Sequence, residues 1–192
     1  MSSPPYRLAD FISDLELITA VPLPDTERIR RIQRKLRLLI SGGDVALNDP
    51  ARPAPKDHYG RYLLHEDKDG RFVVVQMVWG PHLGTPIHDH STWGVAGILC
   101  NELHLVNYDR MDDGSKPGVA ELREASAIDA PAGTVTYIQP PNDVIHSITN
   151  TTDVVTRSVH VYGKSTVLCN WYDLATGKMT PWKLSYDKPC AC

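Results

Sequence analysis

The sequence predicts a mainly β chain, a sandwich or barrel behind a short helical segment, and three observations carry that prediction. Helical periodicity is confined to roughly the first forty residues. Many short β-type runs separated by turn residues follow it. Proline and glycine, at 15 and 13 residues, supply the frequent turns that such a fold needs. A chain of 192 residues is long enough to bury a real core within one domain.

In the first helix, Tyr6–Ala20, one face carries Leu8, Phe11, Ile12, Leu15 and either Leu17 or Ile18, and Pro22 and Pro24 end it. Asp25 is placed to cap a second helix, with Ile29, Ile32, Leu36, Leu39 and Ile40 at helical spacing and Gly42-Gly43 as its stop. The arginines of that helix, from Arg28 to Arg37, read as a solvated face rather than an anion site. Residues 44–57 read as a linker. The β-type runs beyond it are Arg71–Trp79, Gly94–Tyr108, Thr134–Gln139, His146–Asn150, Val154–Tyr162 and Thr166–Tyr172, with turns at Asp112–Ser115 and Pro140–Asp143. The expected organisation is one structural domain, with residues 1–43 as helices packed on a barrel and residues 44–192 as the barrel and a C-terminal extension.

Composition excludes several functions. A net charge of −3 offers no basic footprint for nucleic acid and no polybasic patch for a membrane. No apolar run approaches the ~20 residues that span a bilayer. Met1–Phe11 has no basic segment followed by an apolar one, so the expected location is cytoplasmic. Cys100 and Cys169 read as small buried hydrophobes in a reducing compartment, and Cys190 and Cys192 as part of a frayed tail.

The chemistry is concentrated in the histidines. His88-Asp89-His90 follows the turn-like Gly84-Thr85-Pro86. In an extended strand, side chains two apart share a face, so His88 and His90 can converge on one ion. Further on, Pro141, Asp143, His146 and Asn150 stand in an order that resembles the second metal motif of cupin barrels, whose third histidine comes from a neighbouring strand. That resemblance implies His146 as a ligand and a cupin (double-stranded β-helix, jelly-roll-like) barrel as the fold. Ser91–Val95, where cupins usually place a glutamate, holds no carboxylate, which leaves three neutral imidazoles. Such a set suits catalytic zinc with a bound water, and equally ferrous iron with several open positions. His58, His65, His82 and His104 have no comparable context and read as structural or solvent-exposed. At strand period, Ser158, His160 and Tyr162 share a face opposite Val159 and Val161, and can form a hydrogen-bonded relay.

Together, Tyr59-Gly60-Arg61, Trp79-Gly80, Ile87–His90, His146 and the spaced Ser158, His160 and Tyr162 resemble the thiol dioxygenases, the family of cysteine dioxygenase and 3-mercaptopropionate dioxygenase. The likeness runs from about Tyr59 to Tyr162, with two matching helices ahead of it. It implies Fe(2+) held by His88, His90 and His146, a catalytic relay of Ser158, His160 and Tyr162, and addition of both atoms of dioxygen to a substrate sulfur. Arg61 would clasp the substrate carboxylate, assisted by Tyr59. The expected partners are therefore a small thiol carboxylate and dioxygen. Vertebrate cysteine dioxygenases crosslink the relay tyrosine to a cysteine shortly after the second ligand. By direct count Val95 sits there, beside Gly94, so no crosslink is expected. Arg61 resembles the cysteine-using branch, whereas His88–Gly94 is similar to bacterial members including the mercaptopropionate branch. If Arg61 is not the clamp, Gln76 and Arg157 come next. Two other functions fit the same residues: a zinc-type cupin hydrolase or isomerase, and a non-enzymatic ligand-binding cupin.

Overall fold

The computed structural model describes residues 5–141 and 145–190. Two helices, α1 (Leu8–Ala20) and α2 (Asp25–Ser41), precede a 3-10 turn at Val45–Asn48. The strands are β1 (Gly60–Glu66), β2 (Val73–Trp79), β3 (Ile87–His88), β4 (Gly94–Cys100), β5 (Glu102–Arg110), β6 (Leu122–Pro131), β7 (Val135–Ile138), β8 (His146–Thr149), β9 (Thr156–Tyr162), β10 (Leu168–Tyr172) and β11 (Met179–Lys183). They form two antiparallel sheets, one ordered β1-β2-β9-β4-β7 and the other β11-β10-β3-β8-β5-β6. The result is a mainly β barrel of two antiparallel sheets, with both helices on one outer face.

Strand alternation divides the apolar residues between two cores. Val75, Met77 and Trp79 of the first sheet meet Leu103, Leu105 and Ile148 of the second inside the barrel. The opposite face of the first sheet, with Val74, Val95, Val159 and Val161, is covered by Phe11, Leu15, Ile32 and Leu36 of the helices. Ile18 completes that stripe, while Leu17 is 70% exposed, which decides between the two. Close approach of α2 to β4 requires Gly97: a Cβ there would lie 3.0 Å from Cγ of Leu36. Leu36→Ala should therefore cost about 2–5 kcal/mol, because the backbone beneath it has no side chain to refill the space. Chemical denaturation checks this, and a cost near zero would show a helix only loosely docked.

Local chemistry departs from expectation at two points. The N-cap of α2 is Pro24, and Asp25 is the first helical residue, ion-paired with Arg28. Arg30 and Arg31 pair with Glu27, each at 2.8 Å, in keeping with a solvated helix face. The run Gly94–Tyr108 is broken at Asn101, whose φ of 57° lies in the left-handed region that asparagine tolerates. That turn sends β4 and β5 into different sheets.

Candidate metal centre

His88 ends β3 and stands in register with His146 of β8. Register partners in an antiparallel pair put their side chains on the same face. The strand stops at His88, so His90 comes from the loop behind it and not from a continued strand. What turns His90 inward is Asp89. Its carboxylate accepts from the backbone N–H of Asn170 at 2.7 Å, from Nδ2 of Asn170 at 2.8 Å and from Oη of Tyr172 at 2.7 Å. The intervening residue is thus pinned to β10.

One ligand nitrogen from each of His88, His90 and His146 lies within 4.8 Å of the others, so the group could hold a metal ion. Nδ1 of His88 donates to the carbonyl of Pro86 at 3.0 Å, the tautomer an amide oxygen selects, which leaves Nε2 as the lone-pair donor. Burial pushes His88 down to about 4 and His146 well below the usual histidine range. Both are therefore neutral, the form a metal binds. Asn142–Val144, and with them Asp143 of the expected motif, lie outside the described residues. Asn150 at its other end is fully buried and donates to the carbonyls of Trp79, Gly80 and Val154, joining the end of β8 to that of β2.

Ser158, His160 and Tyr162 point into the barrel from β9. Oγ of Ser158 lies 2.8 Å from Nε2 of His160, and Nδ1 of His160 lies 3.1 Å from Oη of Tyr162. The chain has a fourth member that the sequence did not suggest, since Nε1 of Trp79 donates to Oγ of Ser158 at 2.9 Å. An indole N–H can only donate, and the buried seryl proton has His160 as its acceptor. The arrangement that pairs every buried proton therefore runs from Trp79 to Ser158, to His160 and to Tyr162. It leaves the tyrosyl hydroxyl free to donate into the cavity. Burial holds His160 down at about 3, so it stays neutral, and raises Tyr162 above the ordinary phenol range. The ring of Tyr162 stacks on that of His90 at 5.7 Å, which sets the hydroxyl beside the imidazole group.

These depressed imidazoles have a consequence for the metal-free chain. Its unfolded form takes up protons below about pH 6.5, and the folded form resists them until about 4 for His88 and about 3 for His160. Stability contributed by the neutral imidazoles is full above that window and is lost as pH falls through it. Melting temperatures of metal-free protein should fall steadily from about pH 6.5 to about pH 4.5. A flat profile would mean wetter imidazoles.

Arg61 is 4% exposed and lines the same cavity as the three histidines. Its Nη1 donates to the carbonyl of Ser185 at 3.1 Å, and Nη2 to the carbonyl and Oγ1 of Thr166 at 3.2 Å each. Its guanidinium carbon sits 5.0 Å from the ring centroid of Tyr186. Among the described residues no carboxylate pairs with this guanidinium, and its buried Nε has no partner. The C-terminal residues Ser185, Tyr186 and Asp187 hold it in place, with the Arg61 backbone N–H donating to Asp187 at 2.7 Å. Tyr59 stacks on Trp79 at 4.9 Å and also lines the cavity. Gln76 and Arg157 do not. They lie on the other face of the first sheet, where Gln76 bonds Arg52 and the carbonyl of Leu47, and Arg157 donates to the carbonyl of Arg52 at 3.0 Å.

One further placement differs from the residue count. Gly94, and not Val95, stands opposite Tyr162, while Val95 pairs with Val161 on the helix side. Neither is a cysteine, and Cys100 is paired with Arg157 at the far end of β4. Cys169 is only half-buried and lines the cavity, its thiol pushed up to about 11 by burial. The remaining histidines stand apart from the centre: His58, His82 and His104 meet aspartates at the surface, and His65 stacks on Phe72.

No family profile matches the chain. Among solved structures it is similar to an RmlC-like cupin protein from Desulfovibrio desulfuricans, at 20% identity over 55% of this chain and 82% of that one, with a TM-score of 0.39. It is similar to a Klebsiella pneumoniae protein with a double-stranded β-helix domain, at 13% identity over 69% and 92%, TM-score 0.43. A third is an oxalate oxidase in complex with the substrate analogue glycolate, at 16% identity over 65% and 62%, TM-score 0.45. At these identities and scores the likenesses assign no residue a role. No helix among the described residues is long and apolar enough to cross a membrane.

Proposed function

We propose that this chain is a non-haem iron(II) thiol dioxygenase that converts a small carboxylate thiol to its sulfinic acid. The observation that carries the reading is what one cavity brings together: a buried guanidinium without a carboxylate partner, and a three-imidazole group. An uncompensated buried cation is costly, so the cavity is built for an anion. A short ligand with a carboxylate at one end and a thiolate at the other satisfies both features at once. Ferrous iron held by His88, His90 and His146 would supply the redox chemistry with dioxygen. The overall change, thiol plus dioxygen to sulfinic acid, balances without a further reductant, because dioxygen accepts every electron the sulfur loses.

The protein's own groups do the rest. Arg61 holds the carboxylate and fixes the distance from it to the sulfur. Tyr162 donates its hydroxyl hydrogen bond to the substrate carboxylate or to oxygen. Trp79, Ser158 and His160 keep that hydroxyl aimed and its proton assigned. The decisive experiment combines metal analysis with oxygen uptake on cysteine, 3-mercaptopropionate, cysteamine and mercaptosuccinate. Bound iron with thiol-dependent uptake supports the reading. Zinc without uptake would make the chain a hydrolase or isomerase, and no metal at all a ligand-binding protein.

Arg61→Ala should chiefly raise the KM for carboxylate thiols and narrow their advantage over cysteamine. Truncating one partner of a buried charge pair costs roughly 2–5 kcal/mol, so the lost discrimination should be about thirty-fold or more. Arg61→Gln should shift preference among carboxylate thiols with less loss of turnover. A wild-type ratio of carboxylate thiol to cysteamine in Arg61→Ala would remove Arg61 from the substrate.

A further inference from the structure

A second, smaller cavity lies inside the barrel, next to the polar one. Gly94, Thr136, Ile138 and Ile148 form much of its wall, and His146 and Tyr162 stand between the two spaces. Arg61 lines the first and not the second. Apolar atoms make up most of the lining surface, to which the polar groups of Thr136, His146, His160 and Tyr162 add little, and the free space is small. Glycine at 94 lets Tyr162 and Ile138 pack directly against the β4 backbone at the edge of this space. A Cβ there would lie 2.8 Å from Cδ1 of Tyr162 and 2.9 Å from Cγ1 of Ile138. Thr136, Tyr137 and His146 also line an outer groove beside β5 and β6, where Tyr137 is 49% exposed. The groove and the apolar cavity thus share three lining residues, and Arg61 lines neither.

The two cavities suit opposite kinds of molecule. A thiol carboxylate has a reason to enter past Arg61, and a large desolvation cost keeps it out of an apolar space. Water gains little in a cavity so poor in hydrogen-bond partners. A nonpolar diatomic gas loses almost nothing on leaving water for such a space, and it fits the volume. We propose that the apolar cavity beside Tyr162 and Ile138 is a binding and entry pocket for dioxygen. The thiol and the gas would then reach the imidazole group from different sides, so a bound thiol would not block its co-substrate. This assignment rests on the dioxygenase reading.

The test uses xenon, a nonpolar probe of small apolar cavities that needs no turnover. Crystals of the metal-loaded protein under xenon pressure should show the atom between Gly94, Ile138 and Tyr162. Thr136→Leu and, independently, Ile138→Phe should exclude it. In whichever variant keeps the wild-type metal content, the KM for dioxygen should rise severalfold while the KM for the thiol, measured at saturating dioxygen, stays unchanged. No xenon in the wild-type cavity, or an unchanged KM for dioxygen in a folded variant that excludes xenon, would overturn the pocket. Xenon in place with no thiol-dependent oxygen uptake by the wild type would overturn the dioxygenase reading instead, and the pocket's dioxygen role with it.

Discussion

His88→Ala, His90→Ala and His146→Ala should each lose most of the bound iron and essentially all thiol-dependent oxygen uptake. The expectation follows from the donor set. Three imidazoles converge within 4.8 Å, and among the described residues no carboxylate belongs to the group. Each truncation leaves two imidazole ligands, too few to hold an exchangeable divalent ion against dilution. His88 and His146 are direct register partners, so either substitution also opens a hole in a buried face. Circular dichroism and melting curves must therefore accompany metal analysis, and replacement by Gln, closer in volume, separates packing loss from ligand loss. Near-normal iron in any one folded variant would show that its histidine is not a ligand.

Tyr162→Phe should keep the iron and lose turnover by about 10²-fold, the usual worth of a positioned proton donor or catalytic hydrogen bond. The phenol ring packs on His90 and inside the barrel core, and Phe preserves that packing, so the metal group stays assembled. His160→Gln should act in the same direction by breaking the 2.8 Å and 3.1 Å contacts that order the hydroxyl. Trp79→Phe removes the only donor at the start of the chain while keeping an aromatic against Tyr59. It should lower turnover less, and should alter the pH profile of kcat rather than the KM for the thiol. Wild-type turnover in Tyr162→Phe and His160→Gln together would reduce this row to a hydrogen-bonded barrel core. Intact mass should show a single species, since glycine faces Tyr162 where a crosslinking cysteine would need to stand.

Much of this was legible from short-range patterning. The helical stripe of Phe11, Leu15, Ile32 and Leu36 is a property of spacing along a 3.6-residue repeat, and the same residues cover the first sheet. Alternation along Arg157–Tyr162 puts Ser158, His160 and Tyr162 on one face and Arg157 on the other, whichever strands lie beside it. Read through, that same alternation already argues against Arg157 as a substitute for Arg61. Strand β6 was not legible. Its exposed Arg123–Asp129 stretch has no buried alternating face, and it is a strand because β5 offers an edge to pair with.

Convergence depends on contacts far apart in the chain, and no local pattern contains them. His88 meets His146 through the pairing of β3 with β8, and His90 reaches them because Asp89 is anchored to Asn170 and Tyr172 on β10. Arg61 is held by Thr166 and Ser185, more than a hundred residues on, so its burial and its lack of a carboxylate follow from how the C-terminal stretch crosses β1. Counting residues from His90 pointed to Val95 because a count carries no strand register. The pairing of β4 with β9 supplies it, and Gly94 faces Tyr162 instead. Periodicity decides which residues can share a face, because one strand or helix sets it by its own geometry. Which faces meet is set by register, loop path and packing between elements, and only the folded barrel supplies those.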